Sequence, residues 1–382
     1  MNVALLPQFV WMFAGAALLS AVQARGQVPA RLQTSAVVSP EVGSDRRVTF
    51  RLVAPGAAAV AVSGLASSPS QSAKEGRTLP MRRDGDAWVV VTEPLEPDIY
   101  SYQFTVDGRT INDPANSRFI EEFAGKRTSA FAVPGALWTT PPPRAGLVTR
   151  HSYQSAAVGG AEEYYVYTPP GYDASGAASY PALYLLHGMG DNAHTWVTNG
   201  GVNVTLDNLI AQSRATPMVV VMPLGYGGSD LFAFEPFERA LVEEIIPQVE
   251  RTYRVSGRRD ARAVAGVSMG GSHAMSVALR HSDAVAWVGS FSGAFQMGAA
   301  AHLAARRGPI ARGQFSLIYA GWGAADSLAP VNRRFVADLT SRGATVTTNE
   351  VEGLGHVWPL WRRMAGEFLQ RVFRTKDQGP PG

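Results

Sequence analysis

The sequence predicts an α/β fold, a mostly parallel sheet flanked by helices, preceded by a smaller antiparallel β-sandwich. Three observations carry this. Residues 48–111 hold short segments rich in Val, Phe and Tyr separated by turn residues, and three consecutive prolines, Pro141, Pro142 and Pro143, then interrupt the chain. Beyond them, continuous apolar runs ending in glycines alternate with helix-like stretches.

The chain opens with "MNVALLPQFVWMFAGAALLSAVQA", almost wholly apolar up to Val22, with Val22 and Ala24 at the small-residue positions that a signal peptidase requires. Residues 1–24 therefore read as a secretory signal, and the mature chain as secreted or periplasmic. No Lys or Arg precedes the apolar run, and its length also suits a retained membrane anchor. The chain has no cysteine, so neither a lipidated cysteine nor a disulfide is available, and export rests on the leader alone.

Residues 35–133 form the expected sandwich, with strand candidates "VTFRLVAP", "AVAVSG", "AWVVVTEPL" and "YSYQFTVDGRTI". Asp107-Gly108 marks a tight hairpin, because both central positions of a type I′ turn need positive φ. Residues 134–149, "PGALWTTPPPRAGLVT", read as a linker, since prolines cannot donate to a ladder and favour an extended polyproline conformation. Residues 150–375 form the α/β domain. "PALYLLHG" and "PMVVVMPLG" suit strands buried on both faces, while "NVTLDNLIAQSR", "FERALVEEIIPQVERTYR", "SHAMSVALRH" and "VNRRFVADLTSRG" suit helices.

With 382 residues, of which 46% are hydrophobic and 17% charged, the chain has the composition of a folded globular protein and not of a disordered one. A net charge of +3 without any run of Lys or Arg excludes nucleic acid as an expected partner.

Within "ARAVAGVSMGGSHAMSVALRH", Gly266-Val267-Ser268-Met269-Gly270 has the pattern of a sharp strand-to-helix turn that lifts a serine hydroxyl above a sheet. The glycines are required because a side chain at either position would collide with the neighbouring strand or helix. Such a serine needs a base, and the base needs an orienting carboxylate, in the chain order Ser, acid, His. Of seven histidines only His356, in "GLGHVWPLW", lies late enough, and its flanking glycines suit a loop. Asp283 follows the serine too closely, Asp338 lies inside a helix-like stretch, and Glu350 and Glu352 lie in or at the end of a strand-like one. Asp326, just after "FSLIYAGWGAA", has the required position. The charge developing on a substrate oxygen should meet the backbone N–H groups of Met269, directly after the serine, and of Met189, in the loop "HGMGDN".

Two competing chemistries fail on the sequence. Gly188, Gly190 and Ala193 spell a dinucleotide-binding fingerprint, but "VVVMPLGYG" supplies no acid for a ribose, so no cofactor is expected. His187, Asp191 and His194 lie close together without a metal-binding framework, and no metal is expected.

Together, "YYVYTPPGYDASGAASYPALYLLHGMGDNAHTW", "LDNLIAQSRATPMVVVMPLG", "GVSMGGSHAMSVALRHSDAVAWVGSFSGAF" and "GLGHVWPLWRR" resemble secreted esterases of the feruloyl/acetyl-xylan type. These sit within the esterase D and enterochelin esterase-like group of α/β-hydrolases. The first domain resembles the Ig-like sandwich of the glycogen-debranching and carbohydrate-binding group, including "TVDGRTINDPANSR". The resemblance implies Ser268, Asp326 and His356 as a catalytic triad, with the N–H groups of Met189 and Met269 as oxyanion hole. It departs from the pattern at Gly353-Leu354-Gly355-His356-Val357, where Gly-Gly-His-Thr is expected.

Implied with it is a serine carboxylic-ester hydrolase that releases feruloyl or acetyl groups from xylan and needs no cofactor. The alternatives are a siderophore trilactone esterase, a related acyltransferase and a non-catalytic carbohydrate-binding protein. Trp196, Tyr226 and Trp358 are candidate stacking surfaces for an aryl acid or sugar ring, a role also open to Trp322 and Trp361, although core packing explains any one of them equally well. Trp88 and Tyr102 are expected as core aromatics of the sandwich.

Overall fold

The computed structural model describes residues 37–67, 76–121, 125–177, 179–228 and 234–374; the leader expected over residues 1–24 lies outside them. Among the described residues no helix is long and apolar enough to cross a membrane.

The first half contains β1 (Glu41–Val42), β2 (Val48–Val53), β3 (Val60–Ala66), β4 (Arg77–Pro80), β5 (Arg82–Asp84), β6 (Ala87–Val91), β7 (Ile99–Val106), β8 (Arg109–Ile111), β9 (Phe119–Glu121) and β10 (Arg127–Ala132). They form two antiparallel sheets, ordered β1-β2-β6-β5 and β4-β3-β7-β10-β9, with β8 folded back on β7. The period-2 pattern explains the sandwich: Val48, Phe50 and Leu52 point inward from β2 and are at most 2% exposed. Phe50, Tyr102, Phe104 and Phe131 meet there at centroid distances of 4.7 to 6.5 Å. Trp88 and Tyr102 are both buried in this core, as expected. The Asp107-Gly108 turn joins β7 to β8 with φ of 46° and 80°, the positive values its residues predict.

The second half begins with an antiparallel hairpin, β11 (Leu147–Ser155) and β12 (Gly160–Thr168). There follow β13 (Ala182–Leu186), α1 (Thr195–Thr198), α2 (Val202–Ala211), β14 (Val219–Pro223), α3 (Phe234–Ala240), a π-helical turn (Leu241–Ile245) and α4 (Ile246–Thr252). Then come β15 (Arg262–Val267), α5 (Met269–Arg280), β16 (Trp287–Phe291), α6 (Ala299–Ala305), β17 (Leu317–Gly323), α7 (Ala329–Ser341), β18 (Thr347–Val351) and α8 (Trp358–Arg371). The sheet order is β11-β12-β14-β13-β15-β16-β17-β18, parallel from β14 onward.

Every residue of β13, β14 and β15 is buried, which is why these strands read as unbroken apolar runs. Tyr184 and Leu186 pack on one face with Phe237 and Met275, while Leu183 and Leu185 pack on the other with Leu206 and Trp358. Burying such a side chain contributes about 1.5–3 kcal/mol, and the two layers together hold the sheet's carboxyl edge in place. Helix α8 goes beyond the sequence expectations: Pro359 sits in its first turn, where a missing N–H costs no hydrogen bond.

The Pro-rich segment is tied down at both ends. Trp138 is buried, the Asn208 amide on α2 donates to Leu137 O at 2.8 Å and Thr140 O at 2.9 Å, and Asp207 Oδ1 accepts the Gly146 N–H at 2.8 Å.

Candidate active site

Ser268 stands between β15 and α5 with φ 54° and ψ −113°. For a residue with a Cβ this backbone costs about 1–3 kcal/mol and is held by its surroundings. Ser268 N–H donates to Phe291 O at 2.8 Å, and Ser268 O accepts from Ala294 N–H at 2.9 Å. A Cβ on Gly266 would lie 2.5 Å from Gly270 C, and one on Gly270 would lie 2.5 Å from both Leu186 O and His187 O. Both glycines are therefore steric requirements of the turn.

Two further loops converge on this serine. The loop after β17 carries Asp326, and the loop between β18 and α8 carries His356. They are joined by backbone bonds from Ala324 N–H to Val351 O (2.8 Å) and from Ala325 N–H to Leu354 O (3.2 Å). His356 Nδ1 donates to Asp326 Oδ2 at 2.9 Å, which leaves Nε2 to accept from the Ser268 hydroxyl at 3.1 Å. The Asp326 carboxylate is wholly buried, whereas His356 keeps 31% of its side chain exposed. Burial pushes the Asp326 carboxyl up, but hydrogen bonding and charge from His356, the Leu328 N–H and Ser292 outweigh it and leave the group below its ordinary value. An ionised carboxylate thus faces a ring that can receive a proton on its far nitrogen.

Opposite them lies the loop after β13. His187 is 1% exposed; its Nε2 accepts the Gly225 N–H at 2.9 Å, so Nδ1 carries the proton and donates to Gly188 O at 2.8 Å. Burial pushes this imidazole down to about 4, so it stays neutral near pH 7. The Tyr226 hydroxyl accepts from Gly190 N–H and donates to Asp191 O, each at 2.9 Å. Among the described residues, the N–H groups of Met189 and Met269 have no acceptor, and Met269 is the first residue of α5, where the helix dipole is positive.

Every expected triad residue is therefore brought into one hydrogen-bonded chain. The expected stacking surfaces are not, and this corrects the sequence-based expectation. Trp196, Tyr226 and Trp358 are 1%, 4% and 3% exposed, so none offers an open ring face to a ligand. The Trp196 indole N–H ends on Leu186 O at 3.0 Å, and its ring meets the edges of Phe291 and Trp358. Trp322 and Trp361 are buried as well.

Sequence patterns gave no signal for Ser292 or Trp361 as supports. Ser292 has φ 51°, and its Oγ accepts the Trp361 indole N–H at 3.1 Å, while the Trp361 ring meets His356 edge-on at 4.8 Å. His194 is likewise engaged, donating from Nδ1 to Glu121 at 3.0 Å and stacking on Tyr165 at 4.4 Å.

Comparison with known proteins adds the following. Residues 155–364 match the family described as putative esterase, and residues 36–119 match carbohydrate-binding module 48, the isoamylase N-terminal domain. An endo-1,4-beta-xylanase/feruloyl esterase of Xylanibacter ruminicola is 28% identical over 354 residues, which cover 88% of this chain and 46% of that protein. The chain thus spans about half the length of that relative. Among solved structures, a ferulic acid esterase superposes with a TM-score of 0.54 at 23% identity, over 60% of this chain and 98% of its own. The enterobactin esterase of Shigella flexneri superposes with a TM-score of 0.61 at 20% identity, over 86% of this chain and 92% of its own, so both halves share its fold.

Proposed function

Because the chain belongs to the putative esterase family, we propose that it hydrolyses carboxylic esters through an acyl-enzyme on Ser268. The observation that carries this reading is the chain of hydrogen bonds from Ser268 through His356 to Asp326 at a strained strand-to-helix turn. His356 Nε2 takes the hydroxyl proton as Ser268 Oγ attacks the ester carbonyl, and the oxyanion turns to the N–H groups of Met189 and Met269. Nε2 then passes the proton to the departing alcohol oxygen. A water molecule enters, gives its proton to Nε2 and attacks the acyl carbonyl, and Ser268 leaves with that proton. The chemistry uses the chain's own groups and calls for no metal or cofactor.

The substrate we propose is an acylated plant polysaccharide, from which feruloyl or acetyl groups are released. The likeness to an endo-1,4-beta-xylanase/feruloyl esterase supports it, as does the match of residues 36–119 to a carbohydrate-binding module. We take the apolar stretch of residues 1–24 as a secretory leader, which would direct the mature chain to the periplasm or the outside. We take residues 35–133 as the sandwich, 134–149 as the connection and 150–375 as the esterase domain. A second reading, a siderophore trilactone esterase, is favoured by one observation: the enterobactin esterase shares the fold of both halves, whereas the ferulic acid esterase covers 60% of this chain.

The test is hydrolysis by the purified protein, beside Ser268→Ala, of methyl ferulate, acetylated xylan and a catecholate trilactone. Release of ferulate or acetate that the substitution abolishes supports the first reading, and a preference for the trilactone supports the second. If no ester is cleaved, or if the alanine variant cleaves as well as the wild type, the ester-hydrolase reading falls.

A further inference from the structure

Two acidic side chains of the sandwich reach into the α/β domain, and each ends on an element that carries catalytic geometry. Asp98, just before β7, is 7% exposed, and its Oδ1 accepts from Arg362 Nη1 at 2.6 Å, from Trp138 Nε1 at 2.7 Å and from the Ile99 N–H at 2.9 Å. Arg362 lies in the first half of α8, is 2% exposed, and also donates from Nε to Asn199 O at 2.7 Å and from Nη1 to Ser67 O at 3.2 Å. Its neighbour Trp361, about 100° further around the helix, reaches His356 and Ser292. One turn of helix therefore carries both a contact to the triad histidine and a charge clamped to the sandwich.

Glu121, at the end of β9, makes the second contact. Its Oε2 accepts from His194 Nδ1, and its Oε1 accepts from Arg127 Nε at 2.8 Å. His194 closes the segment that begins at His187 and contains Met189, and its ring is held flat against Tyr165. His194 N–H and Thr195 Oγ1 both end on Asn192 Oδ1, so a displacement of His194 is passed directly to the loop.

We propose that Asp98 and Glu121 are positioning residues for the catalytic centre, Asp98 setting the His356 loop through α8 and Glu121 setting the Met189 loop through His194. The sandwich then serves turnover itself, whatever glycan it binds. This rests on the reading of Ser268 as the nucleophile. Small errors in the placement of a base or an oxyanion donor act on the chemical step and leave ground-state binding of a small ester largely intact.

The test uses the full chain and the small ester methyl ferulate, with three variants. Asp98→Leu/Arg362→Met removes both buried charges together, so no charge is stranded, while the Trp138 and Ile99 N–H groups lose their acceptor; circular dichroism and thermal melting select the folded protein for the kinetics. Glu121→Ala removes the acceptor, and Glu121→Gln keeps one oxygen for His194. Glu93→Gln, an exposed acid of the sandwich, is the control. The expected result is a fall in kcat of about tenfold for the double variant and for Glu121→Ala, with KM within about twofold of wild type, partial recovery in Glu121→Gln and no change in the control. Wild-type kcat in the folded double variant and in Glu121→Ala overturns the proposal. Amide hydrogen exchange over residues 188–194 and 353–358 gives a readout independent of activity. Faster exchange in both variants supports the anchoring, and unchanged exchange overturns it. If the wild type neither cleaves an ester nor reacts at Ser268 with a fluorophosphonate, the esterase reading has failed, and the exchange rates still decide whether the two acids anchor these loops.

Discussion

The carbonyl oxygen of Leu354 occupies the space in which a Cβ on Gly323 would stand. Gly323 ends β17 and opens the loop to Asp326, while Leu354 lies two residues before His356, so this close approach, together with the Ala324–Val351 and Ala325–Leu354 backbone bonds, sets the acid loop against the base loop.

Gly323→Ala should therefore push Leu354 outward and carry His356 away from Ser268. Inserting one methyl group into so tight a contact costs about 1–3 kcal/mol of stability. The larger effect is on turnover, a fall in kcat on the order of 100-fold, because the base is displaced by a sizeable fraction of an ångström. Steady-state kinetics beside thermal melting checks it, and a fully active Gly323→Ala would show that the backbone bonds from Ala324 and Ala325 hold the two loops without the close approach.

Replacing members of the hydrogen-bonded chain should give unequal losses. Ser268→Ala and His356→Ala are expected to abolish measurable turnover, whereas Asp326→Asn, which keeps the shape but favours the wrong imidazole tautomer, should lower kcat by about 10⁴-fold. Covalent labelling by a fluorophosphonate followed by mass spectrometry should find the label on Ser268 and should be strongly slowed in His356→Ala. A label on any other serine contradicts the assignment.

Tyr226→Phe separates two roles for this tyrosine. As a support, its hydroxyl holds Gly190 and Asp191 in place, and losing it should lower kcat about tenfold with little change in KM. Had the ring been a stacking surface, phenylalanine would preserve it, and kcat would be unaffected.

His187 gives the fold a dependence on pH. Its imidazole is pushed down to about 4 in the folded state, from an ordinary value of 6.5, so between these values the unfolded chain binds a proton that the folded one does not. The corresponding stability is fully present above pH 6.5 and is lost as pH falls toward 4, by which point the loss is on the order of 3 kcal/mol. Thermal unfolding of the wild type should therefore shift downward between pH 7 and pH 4.5, and His187→Gln, which cannot titrate there, should shift less. Equal shifts in the two proteins would show that other groups govern the acid limb.

How much of this is legible in the sequence depends on how local each feature is. The turn around Ser268 is legible because its steric demands fall on glycines two residues away on either side, and the Asp107-Gly108 hairpin is legible for a similar reason. Asp326 and His356 follow from chain order, once the strand-helix alternation shows which loops reach the sheet's carboxyl edge. Trp196, Tyr226 and Trp358 are not legible in this way, since an aromatic residue near a cleft has the same letter whether its ring faces solvent or, as in Trp196, seals a loop from behind. Nor does anything near Arg362 announce a buried charge: its partner Asp98 lies 264 residues earlier, and only the folded seam brings them together.

The contact between Asp98 and Arg362 also bears on how such a protein can diversify. Recombination that exchanged one sandwich for another would strand a guanidinium inside the hydrolytic domain unless the incoming piece carried an acid at the matching corner, a defect worth about 3–5 kcal/mol. The two modules are therefore expected to travel through gene fusions as one heritable unit, with novelty gathering in the surface loops that touch neither acid.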